Sequence, residues 1–372
     1  MTDSYRPFAA VRGFYESGVD ASGCWSRWSK PANCEASPQE LIHINEHFSS
    51  FLTLGFPQPC CVGKAVGQWI LSYIFRQAPS CSVRFLMYSR VLISPSELAE
   101  LVKHGPVVLI DTRDAASYAE AHLPGAVNIH EIFTYLATTT LEGLTALRDT
   151  FVQAFAKAGL SGKETALVYE QSMTTGFGQS CRGYVLLRYL GYPRDKIKIL
   201  HGGYNAWRNA GLPSTSEASS PAPATFPSSD GERSLFVDLA EMKRVVADPK
   251  VVKLDVRDVD EWIGESSSPY GKDFCPRKGR IPGSVWLEWY RMMKPTAQGP
   301  MFKSPSEILA ECATVGFGRD TPVVVFCFKG ARASNTLVAL EEAGIRDVRL
   351  YLGSWNEWSR DPALPIEEGL PY

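Results

Sequence analysis

The chain has 372 residues, 45% of them hydrophobic, which leaves room for two or three domains with sizeable cores. A formal net charge of −2 gives no electrostatic case for nucleic acid or an anionic membrane surface, so any positive field must be local. Apolar stretches such as Trp69 to Phe75 fall far short of the roughly 20 residues that a bilayer-spanning helix needs, which argues against a membrane partner.

Residues 1–86 show no sustained periodicity and lack the charged, apolar and small-residue order of a secretory signal. They are expected to be poorly ordered, a degenerate targeting region, or residues ahead of a start at Met87. Of nine cysteines, Cys24, Cys34, Cys60, Cys61 and Cys81 fall here, and Cys181, Cys275, Cys312 and Cys327 follow. No paired CxxC spacing occurs and only six histidines are present, so no structural zinc, no cofactor and a reducing compartment are expected. Cytoplasm is the expected location, with mitochondrion or periplasm as alternatives.

From residue 87 the chain reads as a duplication, a first copy over 87–213 and a second over 235–372. In the first, Ser94-Pro95-Ser96-Glu97 signals a helix start with an N-cap serine, proline at the first position and a capping-box glutamate. Val107 to Ile110 predicts a strand leading into Asp111-Thr112-Arg113 and Tyr118, followed by Leu123-Pro124-Gly125-Ala126-Val127. A second strand, Ala166 to Tyr169, ends at Glu170; Cys181 lies eleven residues beyond in a helical pattern and reads as a packing residue. His201-Gly202-Gly203-Tyr204-Asn205-Ala206-Trp207 and Gly211-Leu212-Pro213 close the copy. Residues 214–234, rich in Ser, Pro and Ala with little to bury, predict a linker.

The second copy repeats the order: Val251 to Leu254 leads into Asp255-Val256-Arg257 and Trp262, then Ile281-Pro282-Gly283-Ser284-Val285, Ser304-Pro305-Ser306-Glu307 and Leu352-Gly353-Ser354-Trp355-Asn356-Glu357-Trp358. Short β-branched runs alternating with amphipathic segments predict βα units around a parallel sheet in each copy, an α/β fold. An insertion at Ser266–Lys278, absent from the first copy, carries Cys275 and ends beside Arg280. Cys275 reads as a surface cysteine, with a regulatory disulfide to Cys327 as the alternative. Arg277, Lys278 and Arg280 form either a solvent-facing basic loop or part of an anion site.

Val323-Val324-Val325-Phe326 predicts a buried strand that delivers Cys327 into the loop Phe328-Lys329-Gly330-Ala331-Arg332, ahead of a helix over Ala333–Ala343. A strand-end cysteine can simply pack. Backbone N–H groups at a helix N-terminus and the charges of Lys329 and Arg332 point instead to a nucleophilic thiolate that attracts anions. Phe328, Lys329, Gly330, Ala331, Arg332 and Ala333 are thus expected around the substrate, Trp355 at the mouth, and Asp255 and Arg257 as structural ties nearby. Glu170 holds the nucleophile position of the first copy, where a carboxylate would repel an anionic substrate, so that copy is expected to be silent.

Taken together, the Asp-x-Arg pairs, the Pro-Gly-Ala/Ser turns, the Cys327 loop and Gly353 to Trp358 resemble the tandem rhodanese family, the thiosulfate and 3-mercaptopyruvate sulfurtransferases, over roughly residues 90 to 372. The resemblance implies an inactive N-terminal and a catalytic C-terminal domain with the active site near their interface. It also implies covalent transfer through a Cys327 persulfide, with thiosulfate as donor and cyanide, a thiol or a partner protein as acceptor. Cell-cycle phosphatases similar to rhodanese place five residues between cysteine and arginine; four separate Cys327 from Arg332, which argues against a phosphatase or arsenate reductase. Mercaptopyruvate enzymes usually carry small neutral residues after the cysteine, so Phe328-Lys329 favours thiosulfate. The family commonly has a second arginine where this chain has Glu261. Mercaptopyruvate sulfurtransferase and a persulfide carrier remain the alternatives.

Overall fold

The computed structural model describes residues 90–227 and 231–370. The expectations for residues 1–86 and their five cysteines lie outside these. In the first domain β1 (Leu92–Ile93), β2 (Val107–Asp111), β3 (Val127–Asn128), β4 (Thr165–Tyr169) and β5 (Ile197–Leu200) form a parallel sheet in the order β1-β5-β4-β2-β3. In the second, β6 (Phe236–Val237), β7 (Val252–Asp255) and β8 (Ser284–Trp286) precede a hairpin of β9 (Met293–Thr296) and β10 (Gly299–Phe302). With β11 (Val323–Phe326) and β12 (Val348–Tyr351) they give the same topology, β6-β12-β11-β7-β8. The repeat in the sequence is thus a repeat of two α/β domains with parallel sheets flanked by helices.

The uniformly apolar runs fall where that topology needs them. β4 and β11 are the central strands, paired on both edges, and every residue in them is buried. Both predicted capping boxes form: Ser94 N–H donates to Glu97 Oε2 at 2.7 Å and Glu97 N–H to Ser94 Oγ at 3.2 Å, with Ser304 and Glu307 in the same arrangement. The segment after residue 213 buries more than its composition suggests. Thr215 exchanges backbone hydrogen bonds with His122, and Phe226 packs between Phe155 and Tyr192 with centroids 5.7 and 5.6 Å away.

The helices that follow the central strands, Gln179–Tyr189 and Ala331–Glu342, pack on each other and join the domains. Arg188 of the first reaches Glu341 of the second at 2.8 Å and Glu232 at 2.6 Å. Thr139 donates through its N–H and hydroxyl to Glu357 at 2.5 and 2.7 Å, and Phe302 N–H donates to His201 Nε2 at 2.9 Å. Gly178 opens the first interface helix at φ +78°, and a Cβ there would collide with the Ala331 carbonyl oxygen across the domain boundary. Gly178→Ala combines left-handed strain with overpacking and is expected to cost about 2–5 kcal/mol, read as a lowered urea midpoint. A midpoint equal to that of the parent would contradict this packing.

Candidate active site

Cys327 stands at the C-terminal end of a central parallel strand, where open α/β sheets place their ligand sites. Its backbone is pinned on both sides: Trp355 N–H donates to Cys327 O at 3.0 Å, and Cys327 N–H donates to Ser354 Oγ at 3.3 Å. Gly330, at φ +90°, turns its N–H onto Cys327 Sγ at 3.1 Å and opens the helix Ala331–Glu342. Glycine is required here because an L side chain would be strained and its Cβ would press on Leu352. The sulfur therefore sits at the N-terminus of a long helix with a directed backbone donor.

Three cations act on that sulfur, and one comes from the first domain. Lys329 is buried, with Nζ 3.9 Å from the Phe133 ring centroid and 4.9 Å from that of Tyr270, and no carboxylate partner among the described residues. Burial, together with repulsion from Arg182 and Arg332, pulls its ammonium down to about 7 against the opposing attraction of Cys327. Arg182, in the interface helix, donates to the Phe133 and Tyr135 carbonyls at 3.1 and 2.8 Å and lies within electrostatic reach of Cys327. The sequence reading missed Arg182 and Phe133, because nothing in the second copy points to them. The available signal was an arginine set in the otherwise uncharged run Gln179 to Leu187.

Arg332 is placed differently from the expectation. Its Nη1 is held by Glu261 at 2.6 Å and Asp258 at 2.9 Å, so much of its charge is already matched, while its buried Nη2 has no hydrogen-bond partner among the described residues. Glu261, standing where the family commonly has arginine, is the reason. Arg277 and Arg280 do not reach the sulfur. Arg277 donates to the carbonyls of Trp358, Ser359, Asp361 and Leu364, and Arg280 pairs with Glu367 at 3.1 Å and donates to the Gly369 carbonyl. Lys278 pairs with Asp273 at 2.7 Å.

Trp355 is fully buried beneath the Arg257 guanidinium, 4.5 Å from its ring centroid, and so is core instead of pocket mouth. Arg257 in turn holds Asp255 at 2.6 Å and the Gly279 carbonyl at 2.8 Å. Phe328 is buried as well, and its carbonyl accepts from Asn356 N–H. Ala331 and Ala333 are buried in the first turn of the helix. Cys275 is a free, buried thiol near Asn356 Oδ1 and Arg360, not a surface cysteine.

A family model described as a rhodanese-like domain matches residues 94–210 and again 238–361. The chain belongs to the rhodanese family. It is 28% identical over 279 residues to a thiosulfate sulfurtransferase of Azotobacter vinelandii, covering 74% of this chain and 97% of the relative. It is also 28% identical over 298 residues to a probable 3-mercaptopyruvate sulfurtransferase of Pseudomonas aeruginosa, covering 76% and 100%. Among solved structures, the anaerobic ergothioneine biosynthesis enzyme of Chlorobium limicola superposes with a TM-score of 0.64 at 22% identity, covering 76% of this chain and 71% of that one, which shows a shared fold.

In the first rhodanese domain Glu170 occupies the place of Cys327: Tyr204 N–H donates to Glu170 O at 2.8 Å, as Trp355 does to Cys327. Seven residues separate Glu170 from Gly178, against two between Cys327 and Gly330. The Glu170 carboxyl fills the helix N-terminus itself, accepting from Ser180 N–H at 3.2 Å. Burial pushes it up to about 8, so at neutral pH it is largely a neutral acid and not the repelling carboxylate expected. Between about 4.5 and 8 the folded chain keeps a proton that the unfolded chain releases, so this group makes stability fall as pH rises through that window. Glu170→Gln is expected to raise Tm by several degrees near pH 9 and hardly at all near pH 5. Equal shifts at both would contradict a protonated Glu170.

Proposed function

We propose that this rhodanese is a thiosulfate sulfurtransferase with Cys327 as its nucleophile. The observation that carries the reading is the Cys327 sulfur at a helix N-terminus, 3.1 Å from Gly330 N–H and in the field of Lys329, Arg182 and Arg332. The thiolate attacks the outer sulfur of thiosulfate; the S–S bond breaks, sulfite leaves with the electron pair, and a persulfide anion remains on Cys327. Cyanide or a thiolate then takes the outer sulfur and restores the thiolate. The directed N–H stabilises the anion at each stage. Lys329 and Arg182 hold the sulfonate, assisted by the unpaired Nη2 of Arg332.

Thiocyanate formation with thiosulfate and with 3-mercaptopyruvate, run in parallel, tests the donor. A strong preference for thiosulfate supports the cationic pocket; a preference for mercaptopyruvate overturns it. A persulfide on Cys327 without turnover would move the protein to a carrier role serving a protein acceptor.

Lys329 gives the pocket a pH signature. Its ammonium is half deprotonated near pH 7 in the free protein, so kcat/KM for thiosulfate should descend above about pH 7, by up to tenfold per pH unit. Lys329→Arg, which stays charged, should remove that limb. A limb at the same pH in the variant would take Lys329 out of the anion site.

A further inference from the structure

The residue that holds the Cys327 amide is itself held in a backbone conformation that serine rarely adopts. Ser354 stands at φ +54°, one of two non-glycine residues with positive φ among the described residues, and is fully buried. In the first domain the same place in the repeat is taken by Gly203, at φ +65°, where glycine is unstrained. The two domains otherwise hold these loops alike. Trp355 and Asn356 donate through their N–H groups to Cys327 O and Phe328 O at 3.0 and 2.9 Å, and Tyr204 and Asn205 donate to Glu170 O and Gln171 O at 2.8 and 3.0 Å. The second domain adds a contact that glycine cannot make, from Cys327 N–H to the Ser354 hydroxyl at 3.3 Å. A Cβ on Gly203 would lie 2.4 Å from the Glu170 carbonyl oxygen, so the first domain has no room for serine here, whereas the second is spaced to take one.

The hydroxyl has a fixed direction. Its proton goes to Tyr351 O at 2.8 Å, at the end of β12, which leaves a lone pair for the Cys327 amide. Ser354 thereby fixes the peptide plane before Cys327, and Trp355 fixes the plane after it. With both planes set, the direction of the Cys327 side chain is set as well, and with it the line from Sγ to Gly330 N–H, 3.1 Å away. Both hydrogen bonds of the hydroxyl go to backbone groups and none to a side chain of the anion site, so its loss should be felt in rate and not in donor binding. We propose that Ser354 is a positioning residue for sulfur transfer, acting through the Cys327 peptide to aim the sulfur, and that the strained backbone is kept for the sake of its hydroxyl. This rests on Cys327 being the nucleophile and deepens that reading.

Ser354→Gly and Ser354→Ala separate the hydroxyl from the backbone. Both delete the acceptor; glycine also relieves the strain, and Gly203 shows that the same turn forms with glycine. Persulfide formation on Cys327 at saturating thiosulfate, followed in a single turnover by released sulfite, should slow at least tenfold in both variants, while the thiosulfate concentration giving half the maximal rate stays within twofold of the parent's. Melting temperature should follow a different order, with Ser354→Gly above Ser354→Ala. A merely structural role would instead return the rate together with the stability. A loss smaller than tenfold in Ser354→Gly, or a raised half-saturating concentration in place of a slower rate, overturns the inference while sulfite release by the parent leaves the sulfurtransferase reading standing. No persulfide on Cys327 in the parent overturns both.

Discussion

Cys327→Ser is expected to abolish sulfur transfer from every donor while leaving the fold in place. A serine hydroxyl at this position meets the same Gly330 N–H, but an alkoxide is not available at neutral pH and oxygen cannot carry the sulfane sulfur through a persulfide. The loss should reach the detection limit, since other described cysteines are held as thiols: Cys181, in the first turn of the interface helix, is fully buried and its thiol is pushed up by burial and by Glu170, and burial pushes Cys312 up to about 12. Stability should change by about 1 kcal/mol or less, because the replacement is nearly isosteric and keeps the backbone donor. Thiocyanate assay and thermal melting together check this. Residual turnover above background would sink the assignment of Cys327.

Glu261→Ala should produce a large loss of stability. Glu261 is almost fully buried and binds Arg332, itself buried, at 2.6 Å; deleting it leaves a guanidinium in the interior with Asp258, its more exposed partner, as the remaining counter-ion. Breaking a buried pair typically costs about 3–5 kcal/mol, and the retained Asp258 places this case near the lower end. Glu261→Gln separates charge from structure. The amide still accepts from Arg332 while no longer cancelling its charge, so KM for thiosulfate should fall several-fold, at a stability cost smaller than that of Glu261→Ala because the hydrogen bond and the packing are kept. An unchanged KM in that variant would mean that Arg332 does not contribute to the anion field.

The contrast between Glu261 and Cys327 explains what could be read before the structure. Everything within a single strand–loop–helix unit was legible: the apolar run of β11, the glycine that turns onto the sulfur and both capping boxes depend on neighbours a few residues away. The duplication made the second sheet and its central strand legible from the first. Partners across long separations were not. Arg277 looked like a free cation because its four carbonyl partners lie between Trp358 and Leu364. Arg332 looked unpaired because Glu261 is 71 residues away. Lys329 was singled out, but its partners Phe133 and Tyr270 come from two different domains, and with them the burial that lowers its charge. Glu170 was correctly aligned with Cys327, yet its protonation depends on burial that no spacing encodes.

The central claim is that Cys327 itself carries the transferred sulfur. Protein incubated with thiosulfate and no acceptor, then mapped by peptide mass spectrometry under non-reducing conditions with released sulfite quantified, tests it most directly. The prediction is one sulfur atom added to the peptide containing Cys327, with sulfite in matching amount, and removal of the added sulfur by cyanide. An unmodified Cys327, or sulfur found on Cys275 instead, would contradict the account.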